Sequence, residues 1–383
     1  MDLSKDLLYK LTEFRHYLHS EPELSGSEIK TSSKILNFLK ETSPSDTITG
    51  IGGHGVAAIY NSGQEGPTVL LRADMDALPI QESNTFDYKS VSNGVAHLCG
   101  HDGHSTILVG VGHYLKSIPI TKGKVVLLFQ PAEEVGRGAA AVIADPKFNL
   151  IKPDYAFALH NLPGFEKGSV FLRNQTFASA STGLIAKLKG LSSHAAHPED
   201  GNSPDKALAK IMLELNEVTT HKTTFKDFAL LTIIHAKLGE IAFGTTPGKA
   251  TLMATLRTYL DSDMEILKAE AENIIRRIAK EHDLNQEISY TEEFPATINS
   301  ANTTSIVSDA ATKLGIPVKN LEQPFRWSED FGYFTQVCPA TLFGIGSGVN
   351  HPQLHNEDYD FPDDIIEPSI LLFAEILNSI LSH

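Results

Sequence analysis

Five short segments of the sequence carry side chains that could bind metal ions or exchange protons. They read ADMDALP, HLCGHDGH, QPAEE, ALHN and LHNEDYDF, and they are spread over most of the chain. Their Asp, Glu, His and Cys side chains offer the oxygen, nitrogen and sulfur ligands that divalent metals prefer. The closely spaced cysteine pairs of a small zinc module do not occur, because the only cysteines are Cys99 and Cys338. The pattern therefore predicts a metal centre assembled from distant segments.

The segment HLCGHDGH is the densest of the five. Cys99 and His101 are separated by one glycine, which can bring both side chains to one ion, and His97 and His104 are additional candidates. A buried free cysteine beside a structural histidine is an alternative. A cysteine nucleophile with a histidine base is another, but it does not predict the paired glutamates farther along the chain.

The segment QPAEE places Glu133 and Glu134 directly after the apolar run VVLLF. One of two adjacent carboxylates on a turn can bind a metal, while the other holds the attacking water as a general base. A solvated pair of surface carboxylates is the alternative. His160 lies in ALHN, directly after the strand-like run DYAFAL, and His355 lies in LHNEDYDF. Either alone could be a structural histidine. Five such places in one order make coincidence a poor account.

The elements that must position these residues alternate between helices and strands. Helical spacing of apolar residues predicts helices over residues 4–20 and 27–41, and buried strands are predicted in PTVLLRADM, KGKVVLLFQ and DYAFALHN. This alternation predicts an α/β fold, with a mostly parallel sheet covered by helices on both faces. Active groups of such sheets gather at the carboxyl ends of the strands.

The middle of the chain follows another pattern. Residues 182–292 read as β-α-β-β-α-β, the order of a ferredoxin-like α+β unit. We therefore expect a catalytic metal-binding domain formed by residues 1–181 and 293–383, with residues 182–292 inserted as a satellite domain.

Composition excludes several classes of function. The formal net charge is −15, from 32 Lys and Arg against 47 Asp and Glu, which argues against a nucleic-acid-binding protein. Charged residues interrupt the N-terminal segment, and no uncharged run approaches the ~18 residues of a membrane-spanning helix. Two cysteines fit a reducing compartment. We expect a cytoplasmic protein that binds neither nucleic acid nor membrane.

Taken together, the motifs resemble a known family. RADMDALP, AHLCGHDGH, FQPAEE, ALHN, SSHAAHP, SEDF and LHNEDYDF, in this order, are similar to the motifs of the hippurate hydrolase, aminoacylase and IAA-amino acid (auxin-conjugate) hydrolase family. These dinuclear metallo-amidohydrolases are relatives of zinc carboxypeptidases and aminopeptidases. The resemblance covers nearly the whole chain, including the inserted segment.

The resemblance implies two divalent metal ions per subunit, which could be Zn, Mn, Co or Ni. The implied ligands are Cys99, His101, Glu134, His160 and His355. The Cys99 thiolate would bridge the two ions, and a soft sulfur bridge is a reason not to assume zinc. Glu133 is implied as the general base and Asp76 as the acid that orients a metal-bound histidine. Asp74 occupies a position at which other relatives have a histidine ligand.

The resemblance also implies a substrate class: N-acyl amino acids, of the hippurate or N-acetyl-amino-acid type, cleaved at the amide bond. A dipeptidase, aminopeptidase or carboxypeptidase of the same superfamily is the alternative, and a non-catalytic metal-binding protein is a third possibility. In the family, a histidine of the inserted domain reaches the site of a neighbouring subunit. His194 occupies that position, which implies a homodimer formed through the satellite domain.

Residues outside the metal set bear on specificity. Arg257 could hold a substrate carboxylate or could be a surface arginine at a strand end. Glu329 and Asp330 of SEDF could shape the pocket floor or cap a helix. Gly244 stands where relatives usually have Asn, and Trp327, the only tryptophan, stands where they often have a small residue. These departures concern the substrate and leave the predicted metal ligands in place.

Overall fold

The protein is described by a computed structural model that covers residues 3–220 and 224–382. Its helices are α1 (Lys5–Ser20), α2 (Ile29–Leu39), α3 (His101–Ser117), α4 (Gly138–Ala144), α5 (Asp205–Glu217), α6 (Asp261–Glu281), α7 (Ala301–Lys313), α8 (Gly332–Thr335) and α9 (Ile366–Leu381). Its strands are β1 (Asp46–Ile51), β2 (Gly55–Asn61), β3 (Thr68–Asp74), β4 (Lys124–Gln130), β5 (Tyr155–Pro163), β6 (Val170–Leu172), β7 (Gln175–Ala178), β8 (Ala180–Lys189), β9 (Ala229–Leu238), β10 (Lys249–Thr258), β11 (Asn285–Phe294), β12 (Thr297–Asn299), β13 (Val318–Asn320) and β14 (Ala340–Gly348).

Contacts divide the chain into two compact units. The first comprises the residues up to Phe177, Thr297–Gln323 and the residues from Asp330 onward. The second comprises Ala178–Ala296 and Pro324–Glu329. The domain boundaries at 182 and 292 stay a prediction.

The first unit is built on an eight-stranded sheet with the order β1-β2-β4-β3-β5-β14-β6-β13. The four central strands β4, β3, β5 and β14 run parallel to one another. Their apolar runs are fully buried, as expected for strands that have helices on both faces. The predicted α/β fold with a mostly parallel sheet is therefore confirmed. Because the carboxyl ends of parallel strands lie at one edge, the segments that follow β3 and β4 emerge together.

Helix α3 begins at His101 because the chain turns sharply at Gly100. Gly100 has φ +94, a conformation that L side chains rarely adopt. A Cβ atom at this position would lie 2.5 Å from Oδ1 of Asn161, so a larger residue would collide with the strand segment beside it. The glycine between Cys99 and His101 thus reverses the chain and leaves both side chains on the same side of the turn.

The second unit contains a four-stranded antiparallel sheet with the order β11-β8-β10-β9. Along the chain its elements are β8, α5, β9, β10, α6 and β11, which confirms the predicted α+β architecture of the inserted segment. Burial alternates along β8 and β10 because one face packs against the helices through residues such as Leu252, Leu267 and Ile275. Strand β9 lies at one edge of the sheet.

Several short elements had no counterpart in the sequence prediction. They are β1, β6, β7, β12, β13, the seven-residue α4 and the four-residue α8. Elements this short contain too few residues to show a hydrophobic period. Among the helices of the described residues, none has the length and apolar character needed to cross a membrane.

Candidate active site

The predicted site residues of the first unit gather at the carboxyl-terminal edge of its large sheet. Asp76 follows β3, Glu133 and Glu134 follow β4, and His160 lies within β5. Cys99 immediately precedes the turn into α3, and His355 lies on the loop between β14 and α9. Sheet topology therefore brings together side chains that are far apart in the sequence.

Two groups of three potential ligands share Cys99. One group is Cys99, His101 and His160, and the other is Cys99, Glu134 and His355. Within each group the ligand atoms lie within 4.8 Å of one another. This arrangement offers two adjacent positions for a cation, with the sulfur atom common to both.

Individual distances define the cluster further. Sγ of Cys99 lies 3.6 Å from Nε2 of His160. The two carboxylate oxygens of Glu134 point to different histidines: Oε1 lies 3.8 Å from Nε2 of His101, and Oε2 lies 3.7 Å from Nε2 of His355. The structure thus places the five predicted ligands together.

Glu133 lies beside this cluster without belonging to either group that contains Cys99. Its Oε2 is 3.9 Å from Nε2 of His101, and its Oε1 accepts a hydrogen bond of 3.4 Å from the backbone N–H of Asp330. The Glu133 side chain is buried. A carboxylate held next to a metal position in this way is suitable for accepting a proton.

The two buried histidines are oriented through their Nδ1 atoms. Nδ1 of His101 lies 2.9 Å from the backbone oxygen of Asp76 and 3.4 Å from its carboxylate. Nδ1 of His160 lies 2.9 Å from the backbone oxygen of Asn161. When Nδ1 donates to these oxygens, Nε2 of each ring carries the lone pair that a metal needs.

Buried atoms in the cluster support the binding of cations. Within the described part of the chain, no hydrogen-bond partner reaches Nε2 of His101 or Oε1 of Glu134. Buried polar atoms normally have a partner, and a divalent cation between these two atoms would satisfy both. The mixture of thiol, imidazole and carboxylate groups also matches borderline divalent metals. The residues present therefore fit a dinuclear centre.

The protonation of the metal-free cluster is consistent with this fit. Burial raises the pKa of the Cys99 thiol well above its ordinary value, and the nearby Glu134 adds to the rise. Burial lowers the pKa of His160 to about 3, so this ring is neutral. Burial also acts to lower the pKa of His101, but the negative charge of Asp74 opposes it, and the pKa is raised above its ordinary value. A divalent metal bound by Cys99 and His101 would therefore displace protons from both side chains.

A chain of buried hydrogen bonds lies beside His101 and His160. Nδ1 of His104 is 2.6 Å from Oδ1 of Asp74, and its Nε2 is 2.5 Å from Oδ1 of Asn161. The His104 ring centroid lies 4.8 Å from that of His160 and 5.6 Å from that of His101. The chain continues through the Asn161 side-chain amide to the hydroxyl of Tyr359. Asp74 therefore fixes His104, which packs against the rings of both His101 and His160.

Asp330 of the SEDF segment has a structural role that the sequence left open. Its carboxylate pairs with Arg72 at 2.8 Å and accepts hydrogen bonds from the side chain of Gln130 at 2.8 and 2.9 Å. It also accepts a bond of 2.9 Å from the backbone N–H of Ala139, in the first turn of α4. Asp330 thus caps a helix. From the sequence, only the polarity of Arg72 and Gln130 within otherwise apolar strands could have indicated this network.

His355 differs from the other candidate ligands. Its side chain is half exposed, and its φ is +67, which a non-glycine residue rarely adopts. Its backbone N–H donates a bond of 2.8 Å to the oxygen of Leu98, which ties the loop to the segment carrying Cys99.

The remaining predicted residues lie in the second unit. His194 is exposed on a loop, where its Nδ1 accepts a bond of 3.1 Å from the N–H of Ala196. Arg257 donates to the backbone oxygen of Arg326 at 2.9 Å and to Oγ of Ser328 at 3.1 Å. Their predicted catalytic and substrate-binding roles stay predictions.

The two departures from the family motifs are also in the second unit. Gly244 has open space around it, so a side chain could be accommodated there. Trp327 stacks on Phe325 with ring centroids 4.7 Å apart.

Comparison with known proteins identifies the family to which the chain belongs. The sequence pattern of Peptidase family M20/M25/M40 matches residues 70–379. An uncharacterized hydrolase of Staphylococcus aureus (strain bovine RF122 / ET3-1) is 31% identical, and the match covers 96% of this chain and 97% of that protein. An uncharacterized hydrolase of Staphylococcus haemolyticus (strain JCSC1435) is 32% identical, with 92% of this chain and 90% of that protein covered.

Solved structures share the fold over the whole chain. A protein from methicillin resistant Staphylococcus aureus superposes with a TM-score of 0.89 at 24% identity, covering 98% of this chain and 97% of that chain. A dinuclear metal binding peptidase of the M20 family from Bacillus subtilis superposes with a TM-score of 0.84, also at 24% identity, covering 99% of both chains. An aminobenzoyl-glutamate utilization protein from Klebsiella pneumoniae gives 0.75 at 20% identity, covering 99% and 96%.

The fold and the cluster define a metal-dependent hydrolase. The chain belongs to Peptidase family M20/M25/M40, and it is an enzyme of that family.

Proposed function

We propose that the enzyme hydrolyses the amide bond of N-acyl amino acids at a dinuclear metal centre. Cys99, His101, Glu134, His160 and His355 would hold the two divalent cations. The observation that carries the proposal is that two groups of three candidate ligand side chains share Cys99. Glu133 is in neither of them, but it lies close enough to His101 and Glu134 to form a third group with these two residues.

Each protein group has a separate task in the reaction. Divalent cations at the centre supply the Lewis acidity that activates water and polarises the amide carbonyl. Glu133 accepts a proton as the water attacks the carbonyl carbon, and delivers it to the leaving nitrogen as the C–N bond breaks. Asp76 fixes the orientation and tautomer of His101 through the contacts at Nδ1.

The second unit contributes to substrate binding in this proposal. His194 donates a hydrogen bond to the developing oxyanion, in the site of a neighbouring subunit. Arg257 receives the carboxylate of the amino-acid moiety, for which a guanidinium is suited. The hydrogen bonds of Arg257 to Arg326 and Ser328 hold its side chain in one orientation.

The proposal that the enzyme is a homodimer rests on one surface of the second unit. Strand β9 is an edge strand, and the loop after it carries Ile241 and Phe243, whose side chains are fully exposed. Exposed edges and exposed large apolar side chains are features that proteins normally cover. A second copy of the chain, placed on β9 and this loop, would cover both.

Substrate assays can separate this function from its alternative, a dipeptidase, aminopeptidase or carboxypeptidase of the same superfamily. The metal-free enzyme is reloaded with Zn, Mn, Co or Ni and given N-acetyl and N-benzoyl amino acids beside dipeptides with a free amine. The proposal predicts that acylated amino acids have a kcat/KM at least about 10-fold higher, since a free amine would need its own recognition group. A preference for the free-amine dipeptides would favour the alternative.

A further inference from the structure

The segment between α1 and α2 contains a buried carboxylate that has no task in the account above. This segment, residues 23–28, reads ELSGSE and lies before the region that matches the family pattern. The side chain of Glu28 is completely buried. It faces the turn that follows β4 and carries Glu133.

The contacts of Glu28 are with backbone groups. Its Oε1 accepts a hydrogen bond of 2.8 Å from the N–H of Ala132 and another of 2.8 Å from the N–H of Gly26. Ala132 is the residue immediately before Glu133. The carboxylate therefore connects the segment before α2 directly to the turn that presents the proposed general base.

A second carboxylate holds the other side of the same turn. Oδ2 of Asp76 accepts a bond of 3.0 Å from the N–H of Glu134 and one of 2.6 Å from the hydroxyl of Ser25. The two carboxylates thus bind the backbone on either side of Glu133, Glu28 before it and Asp76 after it. Both are linked to the segment before α2, through Gly26 and Ser25.

The conformation of the turn explains why it needs such support. Ala132 has φ +53, in the left-handed region that is unfavourable for a residue with a Cβ atom. Strained conformations persist when the surrounding structure determines them. The turn is closed by bonds from Gly136 to the oxygen of Glu133 and from Gly138 to the oxygen of Ala132. The hydrogen bond from the Ala132 N–H to Glu28 connects the N-terminal side of this turn to the segment before α2.

We propose that Glu28 is a positioning residue that holds the backbone at Ala132 and thereby aims the Glu133 carboxylate for proton transfer. The inference rests on the role of Glu133 proposed above. Without Glu28, the backbone before Glu133 is released, whereas Glu134 stays attached to Asp76. The orientation of the base is then lost while the metal ligand keeps its support.

Three substitutions of Glu28 and one control test this. Glu28→Ala removes the acceptor, Glu28→Asp keeps the charge but withdraws the oxygen by one methylene, and Glu28→Gln keeps an acceptor oxygen at full reach. Glu23→Gln is the matched control, because Glu23 accepts backbone and hydroxyl bonds from Thr31 at the start of α2 and not from the turn.

Two measurements are made on the metal-loaded proteins: amide hydrogen exchange of the peptide covering residues 131–138, and steady-state kinetics normalised to bound metal. We expect exchange at Ala132 to accelerate in Glu28→Ala and Glu28→Asp. We expect kcat to fall about 10-fold to 100-fold in both, with KM and metal content close to wild type, because small misplacements of a catalytic group are costly. Glu28→Gln and Glu23→Gln should resemble wild type.

The inference is overturned if exchange at Ala132 is unchanged in Glu28→Asp, or if exchange accelerates while kcat per bound metal does not fall. It is also overturned if Glu28→Gln is as impaired as Glu28→Ala, since charge rather than the hydrogen bond would then matter. Should Glu28→Ala fail to fold, the comparison of Glu28→Asp with Glu28→Gln decides. Failure of the proposed function is recognised separately, by turnover of Glu133→Gln.

Discussion

Sγ of Cys99 lies 3.6 Å from Nε2 of His160, and both atoms are buried. Burial keeps the thiol protonated and the imidazole neutral in the metal-free protein. A cation between them would convert the thiol to a thiolate and use the imidazole lone pair. The thiol and the imidazole therefore have the chemistry of two metal ligands, and the thiol would lose its proton only when a metal binds.

The substitution Glu133→Gln tests the proposed role of Glu133 as the general base. We expect metal content and folding to be retained, and kcat to fall by about 10² to 10⁴, the usual contribution of a general base. Activity assays and metal analysis of the purified variant check this. Glu134→Gln is the matched control, because the adjacent residue should lose metal as well as activity. Near-wild-type turnover of Glu133→Gln would refute the assignment.

Stability should depend on pH through a buried histidine near the site. Nδ1 of His19 is 2.9 Å from Asp102, and its Nε2 is 3.1 Å from Glu82. Burial and the nearby positive charge of Arg15 act to lower the pKa of His19. The hydrogen bonds to Asp102 and Glu82 outweigh both and raise the pKa to about 9. Because the pKa of His19 is higher in the folded protein than in the unfolded chain, protonated His19 stabilises the fold. This contribution to the free energy of unfolding is complete below about pH 6.5 and is lost as pH rises through about 9.

The free energy of unfolding should therefore decrease between these pH values, by up to about 1.4 kcal/mol per pH unit from His19. Urea unfolding of wild type and His19→Gln, in the same metal state across pH 6–10, measures the difference. Other titrating groups affect both proteins, so the difference isolates His19. Identical pH dependence in the two proteins would contradict the raised pKa.

The carboxylate of Asp330 should be important for stability. It pairs with the fully buried Arg72 and accepts from Gln130 and Ala139. Asp330→Ala would leave Arg72 paired with Asp74 alone and would remove the acceptor of buried donors on Gln130 and Ala139, so it should cost about 3–5 kcal/mol. The control is Asp364→Ala, whose ion pair with Lys167 is exposed and should contribute less than about 1 kcal/mol. Equal losses in denaturant unfolding would be evidence against this role.

The proposed dimer surface can be disrupted without touching the metal cluster. Ile241→Ser combined with Phe243→Ser should convert the dimer to monomers, because these exposed side chains supply apolar area for the interface. Sedimentation velocity measures the change. Val91→Ser removes an exposed apolar side chain from the first unit and should leave the dimer intact. A monomeric wild type, or an unaffected double variant, would count against this interface.

Long elements and strand-end motifs could be predicted from the sequence. The apolar runs before Asp74 and Gln130 identified central strands of a parallel sheet, and such strands place their carboxyl ends together. Position along the sheet then explains why Cys99, His101, Glu134, His160 and His355 lie close to one another. Their binding of metal stays a prediction.

Other features depend on contacts that no local pattern encodes. Glu28 and Ala132 are bonded across 104 residues of sequence, and Arg72 and Asp330 across 258. Short elements such as α4 depend on tertiary contacts, here including the bond from the Ala139 N–H to Asp330, because a seven-residue helix is not stable by itself. These relationships become visible only when the fold is known.

X-ray absorption at the metal edge, combined with metal quantification, tests the central claim most directly. For the loaded enzyme we predict about two ions per chain and a sulfur ligand at about 2.3 Å if the metal is zinc. In Cys99→Ser the sulfur signal should disappear and the metal content should fall. A wild-type spectrum with only nitrogen and oxygen ligands, or full metal occupancy in Cys99→Ser, would contradict a dinuclear centre bridged by Cys99.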